Sequence, residues 1–225
     1  MRETAFRASA EGEKLGIQEL YAALARDEAR NLLILNDVVR ALEEGRSPIL
    51  LTERKEHLAY FAKRLQGVAR HLVVLQGGMG SKVDRAVRAQ LESIPLTEGR
   101  LLLATGRYIG EGFDDARLDT LFLALPVSWK GTLVQYTGRL HRLHPGKREV
   151  RIYDYVDRNM PMLARMFEKR LRGYRAIGYA RDEAPLGYAE PNDDVIVEYE
   201  DDEVIRTLDH ESATDRSDEF PEWVL

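Results

Sequence analysis

Leu101-Leu102-Leu103-Ala104-Thr105-Gly106-Arg107-Tyr108-Ile109-Gly110-Glu111-Gly112-Phe113-Asp114 is the stretch that decides how the chain folds. Its apolar start has no polar alternation, the pattern of a strand buried on both faces, as in a parallel sheet. The Ala-Thr-Gly that follows marks a turn at the strand's end, where backbone amides and a hydroxyl face solvent. Working outward, the same pattern recurs. Ile49–Thr52 and Leu72–Leu75 are short apolar strands, and between them residues 54–66 put Leu58, Phe61, Ala62 and Leu65 on one helical face. A Gly-rich loop and a helix over about 82–92 follow. Thr120–Leu125 is another apolar run, a helix occupies about 131–142, and Val150–Val156 alternates into a closing strand. About five strands separated by helices predict an α/β fold, a doubly wound parallel sheet with its sites at the strands' C-terminal ends.

The flanks are simpler. Residues 1–16 lack any period, and a frayed leader is expected there. Ile17–Glu44 shows apolar steps of three and four, giving two helices, the second ended by Gly45. Met160–Gly178 is a closing helix whose stripe of Leu163, Met166, Phe167 and Leu171 packs on the core. The expected organisation is a partly helical leader or connector at 1–30, one domain at 31–181, and a largely disordered tail at 182–225.

Charge divides along the same boundary. The net charge of -5 hides a tail in which 16 acidic residues face two arginines, leaving 22 acidic and 31 basic residues in 1–181. A basic body favours a polyanion such as nucleic acid. Zero cysteines exclude disulfides and thiolate-bound zinc, and suit a reducing cytoplasm. With no run of eighteen apolar residues, no membrane span is expected. His141 and His144 lie close together without a convincing third ligand, so no metal site is expected.

Gln135-Tyr136-Thr137-Gly138-Arg139-Leu140-His141-Arg142 carries the chemistry. As Q-x-x-G-R-x-x-R it sets Arg139 and Arg142 three residues apart on one helical face, with Gly138 removing bulk beside the first. Two guanidinium forks side by side suit a phosphate chain, and they stay charged at any working pH. A false trail lies at Gly77-Gly78-Met79-Gly80-Ser81-Lys82. A phosphate loop needs Gly-Lys-Ser/Thr after four intervening residues, and this order and spacing differ.

Together these segments resemble the second RecA-like lobe of the superfamily 2 helicases, of DEAD/DEAH and type III restriction types. Leu101–Asp114 and Gln135–Arg142 look like motifs V and VI, Pro48–Arg54 like motif IV, and Leu75–Met79 like the strand-end loop after it. Val150–Asp157 looks like the closing strand, so the resemblance runs in family order over roughly residues 30 to 178. It implies roles residue by residue. Arg142 is the expected arginine finger, Arg139 its support, and Gln135 the group that positions the attacking water or the phosphate. Gly112, Asp114 and Gly138 would lie near the nucleotide, with Asp114 by the ribose. Thr52, Arg54, Gly77, Gly78, Thr105 and Gly106 would meet the nucleic-acid strand. Gln135 stands where DEAD-box proteins have histidine, which leans the substrate toward DNA over RNA.

No G-x-x-x-x-G-K-[ST] and no Asp-Glu pair ending an apolar strand occurs in the chain. ATP and Mg2+ are therefore expected to be held mainly by a first RecA-like lobe, in cis or in trans, and the chain alone is expected to be inactive. The alternative is a non-catalytic nucleic-acid or protein binding module derived from such a lobe.

Overall fold

The computed structural model describes residues 1–8, 16–78, 80–106, 115–127 and 134–179, with backbone alone at 81, 84, 134 and 135. In chain order the elements are β1 (Arg2–Glu3), α1 (Ile17–Arg26), α2 (Glu28–Glu43), β2 (Pro48–Thr52), α3 (Lys55–Leu65) and β3 (Leu72–Leu75). They continue with α4 (Ser81–Ser93), β4 (Leu101–Thr105), β5 (Thr120–Leu123), α5 (Val134–Leu140), β6 (Arg151–Val156) and α6 (Pro161–Ala176).

The six strands form one sheet in the order β1-β6-β5-β2-β4-β3, and every pairing is parallel. Strand addition reverses at β2, with β4 and β3 on one side and β5 and β6 on the other. At such a reversal a doubly wound sheet opens a crevice beyond its carboxyl ends. Register makes those ends level: Thr52 lies opposite Thr105, and Leu51 lies opposite both Ala104 and Leu123.

The uniformly apolar strands are explained by cover on both faces. Ile49, Leu51, Leu102 and Ala104 point into one core with Val87 and Leu91 of α4 and Tyr136 and Leu140 of α5. The alternate residues Leu50, Leu103 and Phe122 are equally buried, on the side where α2 and α3 contact the sheet. Gly45 ends α2 as expected, at φ 73°. Gly45 N donates to Leu42 O and Arg46 N to Ala41 O, the paired bonds of a Schellman cap.

The expected parallel sheet of about five strands is present with six, because the N-terminus joins it. Arg2 and Glu3 pair with Tyr155 and Val156, and Thr4 N donates to Val156 O at 3.0 Å. Arg2 is fixed by Asp37 and Glu3 by Arg158, while Phe6 is buried against Leu20, Leu24 and Leu163. Ion pairs and one aromatic anchor thus order residues 2–8, where a frayed leader was expected. Residues 9–15 and the acidic tail at 182–225 lie outside the described residues. Among the described residues no helix is long and apolar enough to cross a membrane.

Candidate functional site

Three strand-end loops converge at the carboxyl edge. Gly77 N donates to Thr105 Oγ1 at 2.9 Å, which ties the loop after β3 to the end of β4. Gly78 has φ 81°, a left-handed conformation that admits glycine most easily. Thr105 lies beside Thr52 through the sheet register. Thr52 and Thr105 are both buried, and their hydroxyls are engaged inside the protein. Their chemistry here is to shape the loops whose backbones reach the edge. Arg54 is half-buried and donates to the Gln18 carbonyl and Gln18 Oε1 at 2.7 and 3.1 Å, so α1 holds the loop after β2.

Sequence reasoning passed over His57, the keystone of that loop. Asn31 Nδ2 donates to Ala25 O at 2.8 Å, leaving Asn31 Oδ1 to accept from His57 Nε2 at 2.9 Å. The Thr52 hydroxyl then donates to Nδ1 at 3.0 Å. The network requires a neutral imidazole with its proton on Nε2. Burial, and then the charges of Arg30 and Arg54, push the His57 pKa down to about 3.

This linkage has a definite sign. In the unfolded chain His57 takes up a proton near its ordinary 6.5, whereas the folded chain resists until about 3. Between those values the unfolded state holds the extra proton, so stability falls as pH falls. The expected loss is up to about 1.4 kcal/mol per pH unit for this one group. Urea titrations at several pH values, compared with His57→Gln, measure it. A variant with the same pH slope as the parent would refute the assignment.

The arginine helix meets these loops through Tyr136. Its ring is buried, and its hydroxyl donates to Gly106 O at 2.7 Å. Burial, reinforced by Glu53, raises the phenol pKa and keeps it a donor. Gly106 is crowded: a Cβ there would collide with the Glu53 carboxylate and lie 2.7 Å from the Tyr136 hydroxyl, so those side-chain ends would have to shift. Tyr136, Glu53 and His57 sit inside or beside the quoted segments, but nothing in residue type alone marks their contacts.

Helix α5 ends at Leu140, short of the expected 142. His141 N still bonds Thr137 O, but Arg142 N bonds Arg139 O at 3.3 Å, a tightened turn. Lys147 explains the stop, since its ammonium takes the carbonyls of Leu140 and Arg142 at 2.7 and 2.8 Å. Arg139 is half-buried and Arg142 is exposed just beyond the helix. Gly138 is exposed, and a Cβ would meet nothing within 4 Å, so it relieves no crowding among the described residues. The Gln135 side chain, Gly112 and Asp114 lie outside the described residues. Among the described residues no three His, Cys, Asp or Glu side chains are grouped to hold a metal ion. His141 sets its ring against Tyr179 at 5.3 Å, and His144 Nδ1 accepts from Gly146 N.

A six-stranded parallel sheet flanked by helices, with loops gathered at its carboxyl edge, is an α/β fold of the RecA-like kind. Among solved structures, T4 UvsW matches with a TM-score of 0.57, at 16% identity, over 72% of this chain and 35% of that one. The C-terminal part of the Fun30 ATPase domain matches with a TM-score of 0.52, at 9% identity, over 64% of this chain and 46% of that one. Transcript termination protein A18 of vaccinia virus (strain Ankara) is 31% identical over 121 residues, 53% of this chain and 24% of that protein. Transcript termination protein OPG145 of variola virus matches over the same shares. The chain thus spans about a quarter of the length of these curated relatives. No family profile matches the chain.

Proposed function

We propose that the chain is the second RecA-like lobe of an ATP-dependent superfamily 2 helicase or translocase. The observation that carries this reading is the Tyr136–Gly106 bond, which couples a strand-end loop to the helix that bears Arg139 and leads directly into Arg142. ATP supplies the phosphate chain whose hydrolysis drives the cycle. Arg142 and Arg139 fit its oxygens, being planar donors within one turn, with Arg142 open to the surface. The sequence has neither a phosphate-loop motif nor an Asp-Glu pair ending an apolar strand, so Mg2+ is assigned with the phosphate loop to a first lobe.

On this reading Arg142 and Arg139 stabilise charge on the terminal phosphate and Gln135 orients the attacking water or the phosphate. Gly112, Asp114 and Gly138 line the nucleotide edge. The loops at Thr52, Arg54, Gly77, Gly78, Thr105 and Gly106 grip a strand, with DNA favoured over RNA. The two lobes close around nucleotide and part after hydrolysis, a hinge movement of the kind nucleotide switches use. The viral relatives are transcript termination proteins, which supports a nucleic-acid substrate. A cytoplasmic site of action accords with the lack of cysteine.

Steady-state ATPase assays test the reading. The chain alone should be silent, and mixing it with a candidate first lobe should give activity that single-stranded DNA stimulates more than RNA does. Strong ATPase from the chain alone would overturn the proposal. Silence in every mixture, with folded chain still binding nucleic acid, would instead identify a non-catalytic binding module.

A further inference from the structure

Between the α1–α2 elbow and the first turns of α3 lies an open cleft of about 380 Å³. That volume is at the small end of the range for ligand sites, roughly 300–1,000 Å³. The cleft adjoins the loop after β2, and of the strand-contacting residues assigned above only Arg54 lines it. Its floor is the His57–Asn31 pair, already bonded and electrically neutral.

The walls carry opposed chemistry. Arg26 and Arg54 supply cations, Glu28 and Glu56 supply anions, and Ala22, Ala25 and Tyr60 supply apolar surface. Arg54 Nε is buried and has no hydrogen-bond partner. The Arg64 guanidinium sits 4.7 Å from the Tyr60 ring centre, a cation–π contact that restrains the ring. Phe61 backs the same ring edge-on at 5.4 Å.

We propose that this cleft receives a nucleobase of the strand gripped by the neighbouring loops. The inference rests on the nucleic-acid reading and adds a base-holding site to it. A phosphate offers only acceptors, and the carboxylates of Glu28 and Glu56 oppose it. A base presents donors and acceptors along one edge and a flat apolar face, which match mixed charged walls beside a tyrosine. Stacking on an aromatic ring tolerates any base, so the site adds affinity without reading sequence.

The test compares two fluorescent strands of equal length, oligothymidine and a base-free abasic backbone, binding to the whole chain. Oligothymidine should bind about tenfold tighter or better, the usual effect of a stacked base. Tyr60→Ala should erase that preference while abasic binding stays unchanged, and Tyr60→Phe should restore it. If Tyr60→Ala fails to fold, Ala22→Trp, which fills the cleft and removes no polar group, should erase the preference in its place. Equal binding of the two strands by the parent chain overturns the base site and leaves the backbone-gripping reading intact. A preference that survives both Tyr60→Ala and Ala22→Trp places the base elsewhere and also overturns the site. Failure of both strands to bind overturns the nucleic-acid reading and the base site with it.

Discussion

Arg142→Ala is expected to lower nucleic-acid-stimulated ATPase, measured on the chain paired with a phosphate-loop lobe, by about 10³-fold or more. The loss should fall on kcat with little change in KM, because an arginine finger acts on charge that develops in the transition state. Stability should barely move. The side chain is exposed beyond the end of α5, and the bond from the Lys147 ammonium to the Arg142 carbonyl survives the substitution. Arg142→Lys keeps the charge but loses the planar fork, so it should recover only part of the rate. Oligonucleotide binding by the chain alone should match the parent, since the loops proposed to grip the strand are untouched. Full ATPase in Arg142→Ala would remove this residue from the proposed catalytic assignment, whatever else the chain does.

The strands were legible because both sheet faces are covered. Ile49–Thr52, Leu72–Leu75 and Leu101–Thr105 must then be apolar at nearly every position, and a run of leucine and valine says so. β1 was not legible for the opposite reason. Two polar residues cannot show a period, and what holds them is the edge of β6 plus ion pairs to residues far along the chain. The helix around Arg139 could be read from the sequence, but its end could not. Lys147 supplies that stop from seven residues beyond Leu140, and a lysine there looks like any surface lysine. His57 was hidden in the same way. It falls on the apolar face of α3, where only the positions of Asn31 and Thr52 turn it from core filler into a loop anchor. Arg30, Arg100 and Arg170 are each about 1–2% exposed, yet a charged residue in a helical or loop pattern is read as solvated by default.

Arg170 shows what that default conceals, and Arg170→Ala is expected to be strongly destabilising. The residue lies among Leu163, Phe167 and Leu171 on the buried face of α6. Its Nε and one terminal nitrogen donate to the two oxygens of Asp154 at 2.7 and 2.9 Å. The Tyr174 hydroxyl adds a third bond, at 3.0 Å. Removing the guanidinium leaves the Asp154 carboxylate buried with one neutral donor and a void beside it. Breaking one partner of such a pair costs about 3–5 kcal/mol. At roughly 2–4 °C per kcal/mol for a chain of this size, Tm should drop by about 10 °C. Arg170→Met combined with Asp154→Leu should recover much of the loss, because apolar replacement of both partners removes the unpaired charge. A drop of under about 3 °C for Arg170→Ala would show that water or rearrangement rescues Asp154. The effect should extend to the site. Tyr174 packs in the same core as Tyr136 and Leu140 of the arginine helix, and Tyr179 meets both Tyr174 and His141. Loosening the Asp154–Arg170–Tyr174 cluster therefore loosens the seat of α5. Below its lowered melting point, Arg170→Ala should still bind oligonucleotide, but it should stimulate the partner lobe's ATPase less than its folded fraction predicts.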